Sequence, residues 1–95
     1  MDALSRLRGE LDTLDARMLA LLERRMDIAR EIAAYKREKG LPVRDAAREA
    51  QVLRERIGRL ENPANAKAAQ ELLETLMRLS RVEQETRIRG EEARA

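Results

Sequence analysis

Cysteine, histidine, tryptophan and phenylalanine are missing from this 95-residue sequence, and Tyr35 is its single aromatic residue. Without Cys there is no disulfide framework, no thiolate nucleophile and no thiolate metal site. Without His there is no Ser-His-Asp triad, and the commonest zinc ligand and general base is gone. One ring cannot make a stacking platform for single-stranded nucleic acid. Long apolar runs are lacking too: the longest, Met18 to Leu22, is far short of a membrane span. The opening MDALSRLRGE has no hydrophobic signal region, so the expected compartment is the cytoplasm, with no membrane partner. An excess of one charge is also lacking. Twenty Lys and Arg face eighteen Asp and Glu, interleaved along the chain. That pattern suits solvated helix faces and argues against a nucleic-acid partner.

What is present is helix-forming. Leu, Ala, Glu and Arg dominate, and nothing alternates apolar with polar long enough to make a half-buried strand. The length suits one small domain. The two Pro and four Gly place the breaks. Gly40-Leu41-Pro42 closes a first segment, roughly residues 3–39. A second helix is expected from Asp45 to Glu61, with Ala46, Ala50, Leu53, Ile57 and Leu60 on its apolar face. Asn62 caps a third that begins at Pro63 and stops near Arg89, with Ala69, Leu72, Leu73, Leu76, Met77 and Leu79 inward. Gly90 then separates a 1–90 domain from a polar tail, 91–95. The fold class is all-α, a three-helix subunit with one long N-terminal helix.

That long helix carries the clearest pattern. Leu4, Leu7, Leu11, Leu14, Met18, Leu21, Arg25, Ile28, Ile32 and Tyr35 follow a 3-4-3-4 spacing without a slip. At 1.5 Å per residue the rod is ~55 Å long, whereas a compact domain of this size has a radius of gyration near ~13 Å. A single chain of three helices cannot cover it. The exposed half of the seam needs a partner, and the simplest is a second copy.

Polar residues interrupt the apolar rows. Arg25 sits in the seam between Leu21 and Ile28, where an unpaired buried guanidinium would cost several kcal/mol. It serves either a carboxylate on another helix or an anionic ligand. Lys36, eleven residues later, returns to within ~20° of the same direction and ~16 Å along the axis. Taken by itself it reads as a lysine near a helix end. Glu49 lies on the apolar face of the second helix, where the helix dipole also favours it. Arg48 points away from that face on an ideal wheel. On the third helix Leu73, Met77, Ser80 and Gln84 form a row that starts apolar and ends in a hydroxyl and an amide. It is either the end of a core or a pocket wall. Together these residues are rich in cations and hold no nucleophile–base pair. They suit binding and electrostatic stabilisation of a small anion.

Three stretches resemble the all-helical (AroQ-type) chorismate mutases. LRGELDTLDARMLALLERRMDIAREIAAYK is similar to that family's first helix. LPVRDAAREAQVL resembles its P-V-x-D-x-x-R-E signature at Pro42, Val43, Asp45, Arg48 and Glu49, and SRVEQ places Ser80 and Gln84 at its Ser-x-x-x-Gln spacing. The resemblance runs from about Leu4 to Arg89. It implies an intertwined homodimer that rearranges chorismate to prephenate on the route to phenylalanine and tyrosine, with no cofactor and no metal. It also implies a site built from Arg8, Arg25, Lys36, Asp45, Arg48, Glu49, Ser80 and Gln84. In that site Lys36, Gln84 and Glu49 would be catalytic and the others substrate-binding. Arg8 lies ~25 Å up the rod from Arg25, so it can reach a site only in trans. Two alternatives stay open: an isochorismate–pyruvate lyase, which resembles the same fold, and a non-catalytic helical dimerisation module.

Overall fold

A computed structural model describes residues 2–94, with side chains described through residue 90. Helix α1 spans Ala3–Lys39, α2 spans Ala46–Ile57 and α3 spans Ala66–Arg94, the last preceded by a 3₁₀ turn at Pro63–Asn65. No strand occurs among the described residues.

Local chemistry sets the ends. The Asp2 carboxylate accepts from the Ser5 amide at 2.7 Å and caps α1. The same bond holds the Asp2 carboxyl below its ordinary range. At the other end Gly40 takes the left-handed conformation, φ 66°, and the Leu41 N–H turns back to the Lys36 carbonyl at 2.8 Å. Lys36, Arg37 and Lys39 complement the dipole there. Asp45 caps α2 by accepting from the Arg48 amide at 3.0 Å. Asn62 accepts from the Ala64 amide at 3.0 Å, with Pro63 at the first position of the turn.

Three boundaries differ from the sequence reading. Pro63 opens a 3₁₀ turn, and α3 itself begins only at Ala66. Helix α2 stops at Ile57, four residues early, because Gly58, Arg59 and Leu60 close a tight turn back onto Arg54, Arg56 and Ile57. Helix α3 passes through Gly90 and reaches Arg94 instead of stopping near Arg89. Gly90 does not take a positive φ. A single glycine among helix formers costs only about 1 kcal/mol, too little to break a helix by itself. Of the expected tail, Ala95 lies outside the described residues.

Helix α3 packs against both α1 and α2, while α1 and α2 do not pack on each other. Arg30 ties α1 to α3, its Nε donating to Glu83 at 2.8 Å and its Nη1 to Asp27 at 3.1 Å. The core is thin. Ala29, Ala33, Val52 and Met77 are its buried apolar residues, and no large side chain is fully enclosed. Val52 was missing from the expected face of α2, and Ala46 and Ala50, which were on it, are exposed.

The seam of α1 points outward. Its apolar members range from 38% exposed at Ile28 to 68% at Leu21. The row that α1 turns toward its own chain lies one residue on: Leu22, Met26, Ala29, Ala33 and Lys36, again at 4-3-4-3 spacing and all buried or half-buried. Small residues at 29 and 33 let α3 approach closely. The molecule measures 58 × 29 × 14 Å, with a radius of gyration of 17.2 Å. It exposes 7670 Å², against about 5,600 Å² for a compact monomer of its mass.

Candidate functional site

Six of the eight nominated side chains line one cavity of about 200 Å³: Arg25 from α1, Asp45 at the cap of α2, Arg48 and Glu49 from α2, and Ser80 and Gln84 from α3. The spacing explains the convergence. The start of α2 brings position 45 and the adjacent pair 48 and 49 past the α3 stripe 77, 80, 81 and 84, while α3 holds the middle of α1 alongside.

Lys36 is not on that lining. Its Nζ donates to the Val43 carbonyl, and Val43 is on it. The lysine thus pins the α1–α2 loop at the cavity's edge. Arg8 is far up the exposed part of α1, ~25 Å from Arg25 along the axis, and lines no part of this cavity.

Sequence reasoning missed four wall residues, Val52, Arg56, Arg81 and Val43, the last quoted only for its motif. The signal existed for Arg81. It is four residues after Met77, on a stripe already identified, whereas Arg56 is four after Val52, on a side of α2 that the expected face left out. Attention to residues breaking an apolar row passed over cations beside one.

The electrostatics favour an anion. Among the described residues no carboxylate pairs with Arg25, Arg48 or Arg56. Arg48 has only a long contact, 3.5 Å, to Gln51. Glu49 is occupied, accepting from Arg81 Nη1 across the α2–α3 interface. Asp45 is committed to its cap. Gln84, 5% exposed, donates from Nε2 to the Ser80 hydroxyl at 3.0 Å, and its Oε1 is buried with no partner. A buried amide end without a partner carries an energetic penalty that a ligand can relieve. No group of three or more acidic side chains converges as a metal site among the described residues. No helix among them is long and apolar enough to cross a membrane.

Residues 7–85 match the family described as chorismate mutase type II. A conserved hypothetical protein from Pyrococcus furiosus has a similar solved structure. The likeness has a TM-score of 0.73 at 32% identity and covers 88% of this chain and 97% of that one. A 3-dehydroquinate dehydratase from Pyrobaculum aerophilum is 44% identical over 48 residues, half of this chain. The chain spans only 16% of that relative's length.

Proposed function

Because this chain belongs to the type II chorismate mutase family, we propose that its cavity rearranges chorismate to prephenate by a concerted [3,3] shift. The observation that carries the reading is the meeting of Arg25, Arg48, Glu49, Ser80 and Gln84 from three helices around one small cavity. Among the described residues its Arg25, Arg48 and Arg56 have no carboxylate partner, and its buried amide has a vacant end. The rearrangement moves no proton in the chemical step and needs no covalent intermediate. A chain without His or Cys loses nothing by it. The protein must hold a flexible dicarboxylate in its compact, reactive shape. It must also stabilise the negative charge that grows on the ether oxygen as the C–O bond breaks.

Each residue then has a role. Arg25 clamps one carboxylate through planar, charge-assisted hydrogen bonds. Arg8 of a second copy takes the other, in a homodimer whose seams face each other. Ser80 and Arg48 complete the carboxylate contacts. Glu49, with the backbone at Asp45, holds the ring hydroxyl. Lys36 has three donors; Val43 uses one, and another reaches the ether oxygen. Gln84 supplies the second donor to that oxygen. Turning its carboxamide over exchanges the two ends. The Ser80 hydroxyl then donates to Oε1, and Nε2 takes the position left without a partner.

The test is turnover of chorismate with oligomer mass measured in the same buffer. Isochorismate is run alongside, and pyruvate released from it in place of prephenate formation would replace this reading with a lyase. Gln84→Glu should work only at low pH, because only a protonated carboxyl can donate. A flat profile for that variant counts against the assignment.

A further inference from the structure

Arg81 belongs to neither the nominated set nor the family signature quoted above, yet it makes the polar contact that fixes Glu49. Its Nη1 donates to Glu49 Oε1, and the two side chains are 23% and 21% exposed, so the pair is largely out of water. The pair forms a shared wall. Glu49, Met77 and Arg81 line the site cavity, and the same three line a wider groove of about 740 Å³ on the other side of the α2–α3 interface.

A carboxylate on such a wall has competing partners. Arg25 and Arg48 line the same cavity and have no carboxylate of their own among the described residues. An unheld Glu49 would be drawn to them, and a carboxylate on those guanidiniums displaces a substrate carboxylate. The Arg81 guanidinium is rigid and planar and sits on a different helix from Glu49, so it fixes the carboxylate's direction as well as its charge. We propose that Arg81 is a positioning residue: it engages Glu49 so that Arg25 and Arg48 stay free for the dianion and Glu49 faces the ring hydroxyl. This rests on the reading of the cavity as a chorismate site.

The test is a double-mutant cycle on the full chain, with wild-type turnover measured beside it. Arg81→Met keeps the apolar stem and removes the donor. It should raise KM by ~10-fold, about the worth of one charge-assisted bond, as Glu49 competes with substrate. It should also lower kcat. Arg81→Lys should recover most of both. With Glu49→Gln already in place, Arg81→Met should change neither, since no carboxylate is left to hold. An equal loss from Arg81→Met in both backgrounds overturns the inference and makes Arg81 a direct substrate ligand. So does a fall in Tm with kcat and KM untouched, which would make the pair a helix tie only. A wild type that does not turn over chorismate fails the earlier reading, and this one with it.

Discussion

The two halves of α1 carry one continuous seam in opposite surroundings. From Leu22 to Lys39 the helix has α3 along one side, with Ala29 and Ala33 buried and Leu22, Met26 and Lys36 half-covered. From Ala3 to Leu21 every residue is exposed, although Leu4, Leu7, Leu11, Leu14, Met18 and Leu21 are as apolar as anything in the chain. Caps and propensity specify the rod in both halves, but only one half finds cover within its own chain. The two residues of α1 that are buried within the chain are small, Ala29 and Ala33, while the leucines of the seam face away. An apolar row of this length exceeds the scattered exposed leucines of an ordinary monomer surface. The bare half is the face that the proposed second copy would cover.

The largest expected effect comes from spoiling the bare half. Leu11→Asp would put a carboxylate into an apolar seam, costing several kcal/mol if a second chain closes over it. We expect a monomer by mass, helical by circular dichroism, with turnover down on the order of 10³-fold because no Arg8 is supplied in trans. A monomer of undiminished activity would remove the need for a second copy altogether.

A mixing experiment sharpens the same contrast by joining the halves. Arg8→Ala alters the bare half and Lys36→Ala the covered one, and each should cost ~10²–10³-fold alone. Reassociated one to one, half the dimers are hybrids, and each hybrid has one site with both residues intact. Activity should therefore recover to about a quarter of wild type, the statistical share for a two-fold assembly. Recovery of nothing would mean that Arg8 and Lys36 serve the same chain's site, against the length of the helix, and full activity of Arg8→Ala by itself would mean that Arg8 serves none.

Much of this was legible in the residues. The stop at Gly40 and the cap at Asn62 are local chemistry and stand where the Gly and Pro placed them, although Asn62 caps a 3₁₀ turn ahead of α3. The cavity lining holds Arg25, Glu49, Ser80 and Gln84, which periodicity marks as polar breaks in apolar rows, and also Arg48, which periodicity points away from the α2 face and only the resemblance nominated. Which stripe turns inward is not local. The seam is the most regular apolar row in α1, yet α3 packs beside the Ala29–Ala33 row, since two small residues allow a closer approach than a line of leucines. Arg81 was missed for a related reason. A surface arginine and a wall arginine look alike until the carboxylate opposite is known, and Glu49 sits thirty-two residues away in sequence.

That inward row gives a third, smaller test. Ala33 is fully covered, so Ala33→Leu must push α3 away and should cost about 1–3 kcal/mol. Ala16 lies in the bare half, opposite the seam, and is exposed. Ala16→Leu should change stability by no more than about 0.5 kcal/mol. Thermal melts at one protein concentration compare them directly. Equal losses would mean that the back of the bare half is buried too, and that more than the seam is covered in solution.

The smallest effect concerns Gly9, in the middle of the bare half. A Cβ built there meets nothing within 4 Å, and its backbone is ordinary helix. The Gly9 carbonyl also accepts from the Thr13 hydroxyl at 3.2 Å, a back-bond that tends to bend a helix. Glycine and back-bond together make this the softest turn of the rod, one residue after the arginine proposed to act in trans. Position 9 lies about 200° around the axis from Leu7 in the seam, so a methyl group there points away from any partner on that face. Gly9→Ala should therefore raise stability by about 0.5–1 kcal/mol through the unfolded chain's lost freedom. Turnover should stay level if Arg8 needs only a straight helix to reach its site. Turnover that falls while the melting temperature rises would mean that Arg8 reaches its site by bending this turn, and the bare half would then be a hinged arm, not a rod.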